Sequence, residues 1–351
     1  MSAAVGAGAC VLACAMVALA PGAAAPAVPL SARIAEARAN YARMEAQSPA
    51  AKTLLDGLNL EQRLSDDGDE LQATPPPDFP AADWDETIRD AAEADVDLVA
   101  QLENKPAPFA LEPGLHEHIV RSAVDGVLDA VGTYVPGEPA NAVVVILHGN
   151  PQSEAELLGQ PYLRRLADKS GTILIAPYGR GYYNFRGPAT ADFYGLLLML
   201  QKMPELAGLH FYLAGYSMGG FTAYMIGPGA PAKWDGVLDI SGALVGSATD
   251  GVMHHWAHTR IYIVHGDRDQ SIPVRYAVDG ASFLYDNQIP VSYYSVTAGS
   301  HSIRTLLPAL GRAWADMLSG KVSDSEITML ARDREGADLP LQTPPAKMML
   351  P

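Results

Sequence analysis

Three residues in the C-terminal half of this sequence have the side chains and the order needed to activate a hydroxyl for attack on a carbonyl carbon. Ser217 lies in Gly-Tyr-Ser-Met-Gly (215–219), after the apolar run "LHFYLA" and before the helix-compatible "FTAYMI". A G-x-S-x-G pattern at such a junction predicts a sharp strand-to-helix elbow that exposes the hydroxyl. Gly215 and Gly219 are then required because larger side chains would strike neighbouring backbone, and Gly220 gives clearance for close packing. Asp267 and Asp269 follow the run "RIYIVHG", and His301 follows "VSYYSV". Nucleophile, acid and histidine thus appear in order, each in a loop after a separate predicted strand. A serine hydroxyl is a poor nucleophile until a base takes its proton, which is the role expected of His301. A buried carboxylate would hold the imidazole in the correct tautomer and stabilise the imidazolium that forms. Of the two aspartates, Asp269 is preferred, because "HGDRDQSIP" puts it at the fifth position of H-G-x-x-D-x-x-[VI]-P. Asp267 is expected to cap or brace the loop.

Negative charge developing on the attacked carbonyl needs two N–H donors. The backbone amide of Met218, after the nucleophile, is one. The other should come from "LHGNPQ". Pro151 has no N–H, so Gly149 or Asn150 must donate, and Asn150 is preferred. His148, just before that glycine, reads as a structural residue rather than a second base.

Elements able to position these groups are legible from residue 115 onward. "HEHIVRSAVDGVLDAVGTYVP" reads as a hairpin turning at Asp125-Gly126. β-Branched runs follow at 142–149, 171–179, 209–215, 234–242, 260–266 and 291–296, separated by segments long enough for crossover helices. That alternation predicts a mostly parallel sheet with helices on both faces. Residues 31–104 read as helical and acidic. Ser31 is the expected cap of a first helix carrying Ile34, Ala37, Tyr41 and Met44. Prolines break the pattern at 73–86, and it resumes through Ile88, Ala92, Val96 and Val99. This region is read as a helical extension packed on the main domain, with a lid or a propeptide as the alternative.

"LHGN", "APYGRGYYNFRGPATADF", "LAGYSMGG", "DISGAL", "HGDRDQSIP" and "GSHS" fall in the order typical of the α/β-hydrolase superfamily, which the chain resembles over residues 115 to 320. Within it, the sequence looks most like secreted carboxylesterases related to polyhydroxyalkanoate-depolymerase-like and feruloyl-esterase-like enzymes. It also resembles the catalytic domain of prolyl-oligopeptidase-type peptidases, without room for their β-propeller. The resemblance implies the α/β-hydrolase fold plus an N-terminal helical extension, with a catalytic domain over 111–320 and the extension over 28–110. It implies ester cleavage by a Ser217-His301-Asp269 triad through an acyl-enzyme, with no cofactor and no metal. A peptidase using the same triad is the alternative, and a non-catalytic ligand-binding relative the third reading.

Elsewhere the signals are thinner. Residues 1–27 read as a signal peptide, although no Lys or Arg precedes the apolar run, and this predicts a secreted or periplasmic protein. Both cysteines, Cys10 and Cys14, fall in that segment, so thiol chemistry is not expected of the mature chain. A formal net charge of −16 argues against nucleic-acid and anionic-membrane partners, leaving a small-molecule or oligomeric ester as the expected substrate. Tyr182, Tyr183 and Phe185 are candidates for a substrate subsite at the C-terminal edge of the sheet, and Trp256 for lining the cleft. Asp192 is expected to anchor their loop or cap the following helix. His254, His255 and His258 read as surface residues, lacking a complete ligand set. The tail over 321–351, charged and then proline-rich, is expected to end in disorder.

Overall fold

The computed structural model describes residues 28–106, 108–181 and 185–323. Residues 1–27, read above as a signal peptide and holding both cysteines, together with Tyr182, Tyr183 and the tail beyond 323, lie outside the described residues. Among those described, eight strands form one sheet: β1 (Gly114–Arg121), β2 (Leu128–Val135), β3 (Ala142–Leu147), β4 (Thr172–Pro177), β5 (His210–Tyr216), β6 (Gly236–Ile240), β7 (Arg260–Gly266) and β8 (Val291–Val296). Their spatial order is β1-β2-β4-β3-β5-β6-β7-β8. β1 and β2 form the expected antiparallel hairpin, β2 runs antiparallel to β4, and β4 onward is parallel. At its turn Gly126 has φ 80°, and the Val127 amide donates to Asp125 Oδ1 (3.1 Å).

β3 shows why the central runs read as continuously apolar. Val143, Val145 and Leu147 face a core shared with α7 (Pro188–Leu200), α8 (Met218–Ile226) and α10 (Arg275–Asp286). Val144 and Ile146 face the opposite core, shared with α6 (Pro161–Ser170) and α11 (Leu307–Ser319). Successive side chains point to opposite faces, and helices cover both. The chain also crosses from one side of β3 to the other here, since β4 lies on one flank and β5 on the other. Such a switch point opens a crevice beyond the C-terminal ends of β3 and β5.

The extension consists of α1 (Leu30–Glu45), α2 (Pro49–Leu55), α3 (Leu60–Glu70) and α4 (Ala81–Asn104). Ile34, Ala37 and Tyr41 of α1 pack on Leu60, Leu64, Leu98 and Val99, and the cluster continues onto Leu128 and Ala130 of β2 and onto Tyr178. Two boundaries differ from the sequence reading. Ser31 does not cap α1: the helix starts at Leu30 after Pro29, which places Ser31 inside its first turn. α4 begins at Ala81, directly after Pro80, so the break ends before position 86.

Charge is buried where the extension meets the sheet. Asp95 of the extension lies close to Glu117 of β1 and to Glu154, Asp67 lies close to Asp95 and Glu156, and Arg63 is the cation they share. Burial pushes the Asp67, Asp95 and Glu117 carboxyls above the carboxylate range, and neighbouring acids push Asp67 and Glu117 further. Burial also raises Asp129 of β2 to about 7, although the Arg180 and Ala130 amides donate to its Oδ1. These groups keep protons in the folded state that the unfolded chain gives up near pH 4. Unfolding therefore releases protons, and stability falls as pH rises above about 4, through 7 and beyond. Thermal melts should give a Tm at pH 5 that is higher than the Tm at pH 8 by about 5 °C or more. Asp129→Asn, which keeps the acceptor but cannot titrate, should flatten that slope. A Tm that climbs from pH 5 to pH 8 would contradict this.

Candidate active site

Ser217 joins β5 to α8 with φ 53° and ψ −116°, backbone geometry that an L-residue adopts only under constraint. The constraint is visible in the contacts. The Ser217 amide donates to Ile240 O of β6 (2.8 Å), and the Gly220 amide donates back to Ser217 O (2.9 Å). A Cβ on Gly215 would strike Gly219 O, one on Gly219 would strike Leu147 O, and one on Gly220 would strike Asp239 Oδ1. All three glycines are therefore needed, as the motif implied. Asp239 lies fully buried beneath them with Oδ1 accepting from the Gly242 amide (2.8 Å), and burial raises it to about 7.

The structure brings Ser217, His301 and Asp269 into one hydrogen-bonded line. His301 Nδ1 lies 2.7 Å from Asp269 Oδ2, and His301 Nε2 lies 2.8 Å from Ser217 Oγ. With the Nδ1 proton donated to the carboxylate, Nε2 is free to accept from the serine hydroxyl. The other carboxylate oxygen, Asp269 Oδ1, accepts from the amides of Ser271 (2.9 Å) and Ile272 (2.7 Å). Asp269's side chain has no solvent access, whereas His301 keeps 24% of its side-chain surface open. A buried anion behind a partly open base is the arrangement that can take a proton from Ser217 and return it to a leaving group. Asp267 points elsewhere: its Oδ1 accepts from the Ala298 amide (2.7 Å), bracing the loop before His301.

Two neighbours of this line were missed in the sequence. Tyr216, the variable residue before the serine, donates its hydroxyl to His301 O (2.9 Å). His265, fully buried at the end of β7, donates from Nε2 to Ile272 O (2.8 Å) while standing 3.5 Å from Asp269 Oδ2. Burial holds its imidazole below the usual range, so it stays neutral beside that carboxylate. His265 opens the same "HGDRD" that supplies the acid, so its sequence signal is the first position of that motif.

Met218 is the first residue of α8, so its amide has no intrahelical acceptor and is available at the helix N-terminus. The β3 loop lies against the elbow, where a Cβ on Gly149 would come within 3.3 Å of Ser217 Cβ. Asn150 follows, half-buried and preceding Pro151. His148 is buried between two carbonyls, Gly149 O (2.9 Å) and Tyr178 O (2.8 Å), in keeping with a structural part.

Two subsite expectations are corrected. Phe185 is fully buried, its ring against His148 (5.9 Å between centroids) and edge-on to Phe193 (6.1 Å), so it packs inward under its loop. Trp256 is likewise enclosed, lying against Tyr224 (6.2 Å) in the core on the α8 side of the sheet. Neither offers a face to a substrate. Asp192 does anchor the loop, accepting from Arg180 Nε (2.9 Å), while Arg180 also grips Asp125 through both Nη atoms (2.7 and 2.8 Å). His254, His255 and His258 are exposed. A contact unforeseen in the sequence comes from the extension, whose Phe79 ring lies 2.9 Å from the guanidinium carbon of Arg304, three residues beyond His301.

This sheet order, with the elbow after β5 and the histidine after β8, defines the α/β-hydrolase fold. Solved structures agree. A ferulic acid esterase superposes with TM-score 0.51 at 16% identity, covering 59% of this chain and 98% of its own. FphF, a fluorophosphonate-binding serine hydrolase of Staphylococcus aureus, superposes with TM-score 0.50 at 15% identity, covering 59% of this chain and 99% of its own. No protein-family model and no curated protein matches the sequence. Among the described residues, no helix is long and apolar enough to cross a membrane.

Proposed function

We propose that this protein is a serine hydrolase that cleaves carboxylic esters. The observation that carries this reading is the Ser217–His301–Asp269 hydrogen-bonded line on a strained elbow. Ser217 Oγ attacks the ester carbonyl carbon as His301 Nε2 takes its proton. The resulting oxyanion is held by the amides of Met218 and Asn150. Collapse breaks the bond to the alcohol, which leaves with the proton from His301, and an acyl group remains on Ser217. Water, deprotonated by His301, then attacks the acyl carbon and releases the acid. The protein acts in the secreted or periplasmic space, as the apolar N-terminal segment suggests.

Comparing p-nitrophenyl esters with peptide p-nitroanilides tests the substrate class. Esters of short and medium acids should be turned over at least about 100-fold more efficiently in kcat/KM, a difference of about 2.7 kcal/mol in transition-state stabilisation. A preference for the anilides would replace this reading with the peptidase.

A further inference from the structure

Arg63 belongs to α3 of the extension, yet its guanidinium meets one flank of the turn that carries Asn150 directly and the other through Tyr178. On the C-terminal flank, Nη2 lies 2.9 Å from Oε1 of Glu154, a residue with no solvent access. Glu154 opens α5 (Glu154–Leu158), four residues after Asn150. Just before it, Ser153 and Glu156 close a reciprocal capping box, with Glu156 N donating to Ser153 Oγ (3.1 Å) and Ser153 N to Glu156 Oε2 (3.0 Å). The point where the turn enters its helix is thereby fixed. On the N-terminal flank, the guanidinium carbon stands 4.6 Å from the centre of the Tyr178 ring. Tyr178 stacks on His148 (5.8 Å, 24° between planes), whose Nε2 faces Tyr178 O (2.8 Å). His148 is the residue before Gly149. Asn59, also from the extension, donates to the Tyr178 hydroxyl (3.4 Å).

Arg63 is itself held rigidly. Its Nε donates to Asp95 Oδ2 of α4 (3.0 Å), and Nη2 pairs with Asp95 Oδ1. It is 5% exposed in its side chain. Such a bidentate, buried pair fixes the guanidinium plane as a lysine could not.

We propose that Arg63 is a positioning residue for the oxyanion hole, so that the helical extension is an integral part of the catalytic unit. The proposal rests on the reading of Ser217 as the nucleophile. Without Arg63, the Glu154 carboxylate would be left buried among acids with no cation, and the turn bearing Asn150 would lose its support on both sides. A small displacement of a donor matters here because the oxyanion bond strengthens only as charge develops.

The test uses the full chain and its Arg63→Met, Arg63→Lys and Arg63→Met/Glu154→Gln variants. Turnover of p-nitrophenyl butyrate and inhibition by an alkyl trifluoromethyl ketone are measured, with thermal melts confirming folding at the assay temperature. The ketone is attacked by Ser217 Oγ with proton transfer to His301, and its hemiketal oxygen occupies the oxyanion position. Arg63→Met should lower kcat by about 10- to 100-fold with KM changed less than about 3-fold, and should weaken the ketone by a similar factor. The double variant, which removes the stranded acid, should recover part of both losses. It should also fold if Arg63→Met alone does not, and Arg63→Lys should fall between wild type and Met. Folded Arg63 variants with wild-type kcat and ketone affinity but a lower Tm would overturn the proposal and leave Arg63 a purely structural residue. Wild-type protein that neither turns over the ester nor binds the ketone would instead overturn the reading of Ser217, and the proposal with it.

Discussion

Ser217→Ala lowers kcat on p-nitrophenyl esters by about 10⁴- to 10⁶-fold, while the protein stays folded. Removing Oγ deletes the only atom in the line that can bond covalently to the acyl carbon. The amides of Met218 and Asn150 and the substrate cleft remain, which is why some activity over water should persist. Stability should hardly change, because the elbow is held by backbone bonds from Ser217 N to Ile240 O and from Gly220 N to Ser217 O, and alanine keeps both. Matching thermal melts for wild type and variant, set beside the kinetic loss, check this. A variant that kept more than about a hundredth of wild-type turnover would remove Ser217 from the chemistry.

Asp269→Asn should cost about 10³- to 10⁴-fold in kcat with little effect on KM. Asp269 Oδ1 accepts from the Ser271 and Ile272 amides, and an asparagine oxygen can keep both bonds. Its NH₂ then faces His301 Nδ1, which must give up its proton to accept. The proton moves to Nε2, and the imidazole can no longer take one from Ser217. Geometry survives and the tautomer is wrong. The neighbouring carboxylate supplies the control, because the Asp267 side chain accepts from the loop amide of Ala298 rather than facing His301. Asp267→Asn should therefore leave kcat within about 3-fold of wild type. A larger loss in Asp267→Asn than in Asp269→Asn would mean that the acid had been misassigned between them.

Groups that make up the candidate site were legible because their roles demand particular residues at particular junctions. Only glycine fits where a Cβ would strike Leu147 O, and a strand buried on both faces must read as an apolar run. The aromatic residues were not legible in the same way. Phe185 lies in the loop after β4 and Trp256 between a short helix and β7, and nothing in their neighbours along the chain says whether a ring turns in or out. Phe193, His148 and Tyr224 decide it, and these partners come from other segments. The same holds for the extension. Its helices could be read from the spacing of Ile34, Ala37 and Tyr41, but the reach of Arg63 to Glu154 across two elements leaves no local trace. Ser31 illustrates the opposite error: it is a good capping residue by type, but the helix begins at Leu30, so Ser31 lies inside the first turn and caps nothing.

The central claim is that Ser217 is a nucleophile activated by His301. Incubation with an alkyl fluorophosphonate followed by peptide mass spectrometry tests it most directly. One adduct per chain is expected, on the peptide that carries Ser217, forming rapidly in wild type and absent from Ser217→Ala. Folded wild-type protein that remained unlabelled, or that carried the adduct on another residue, would contradict it.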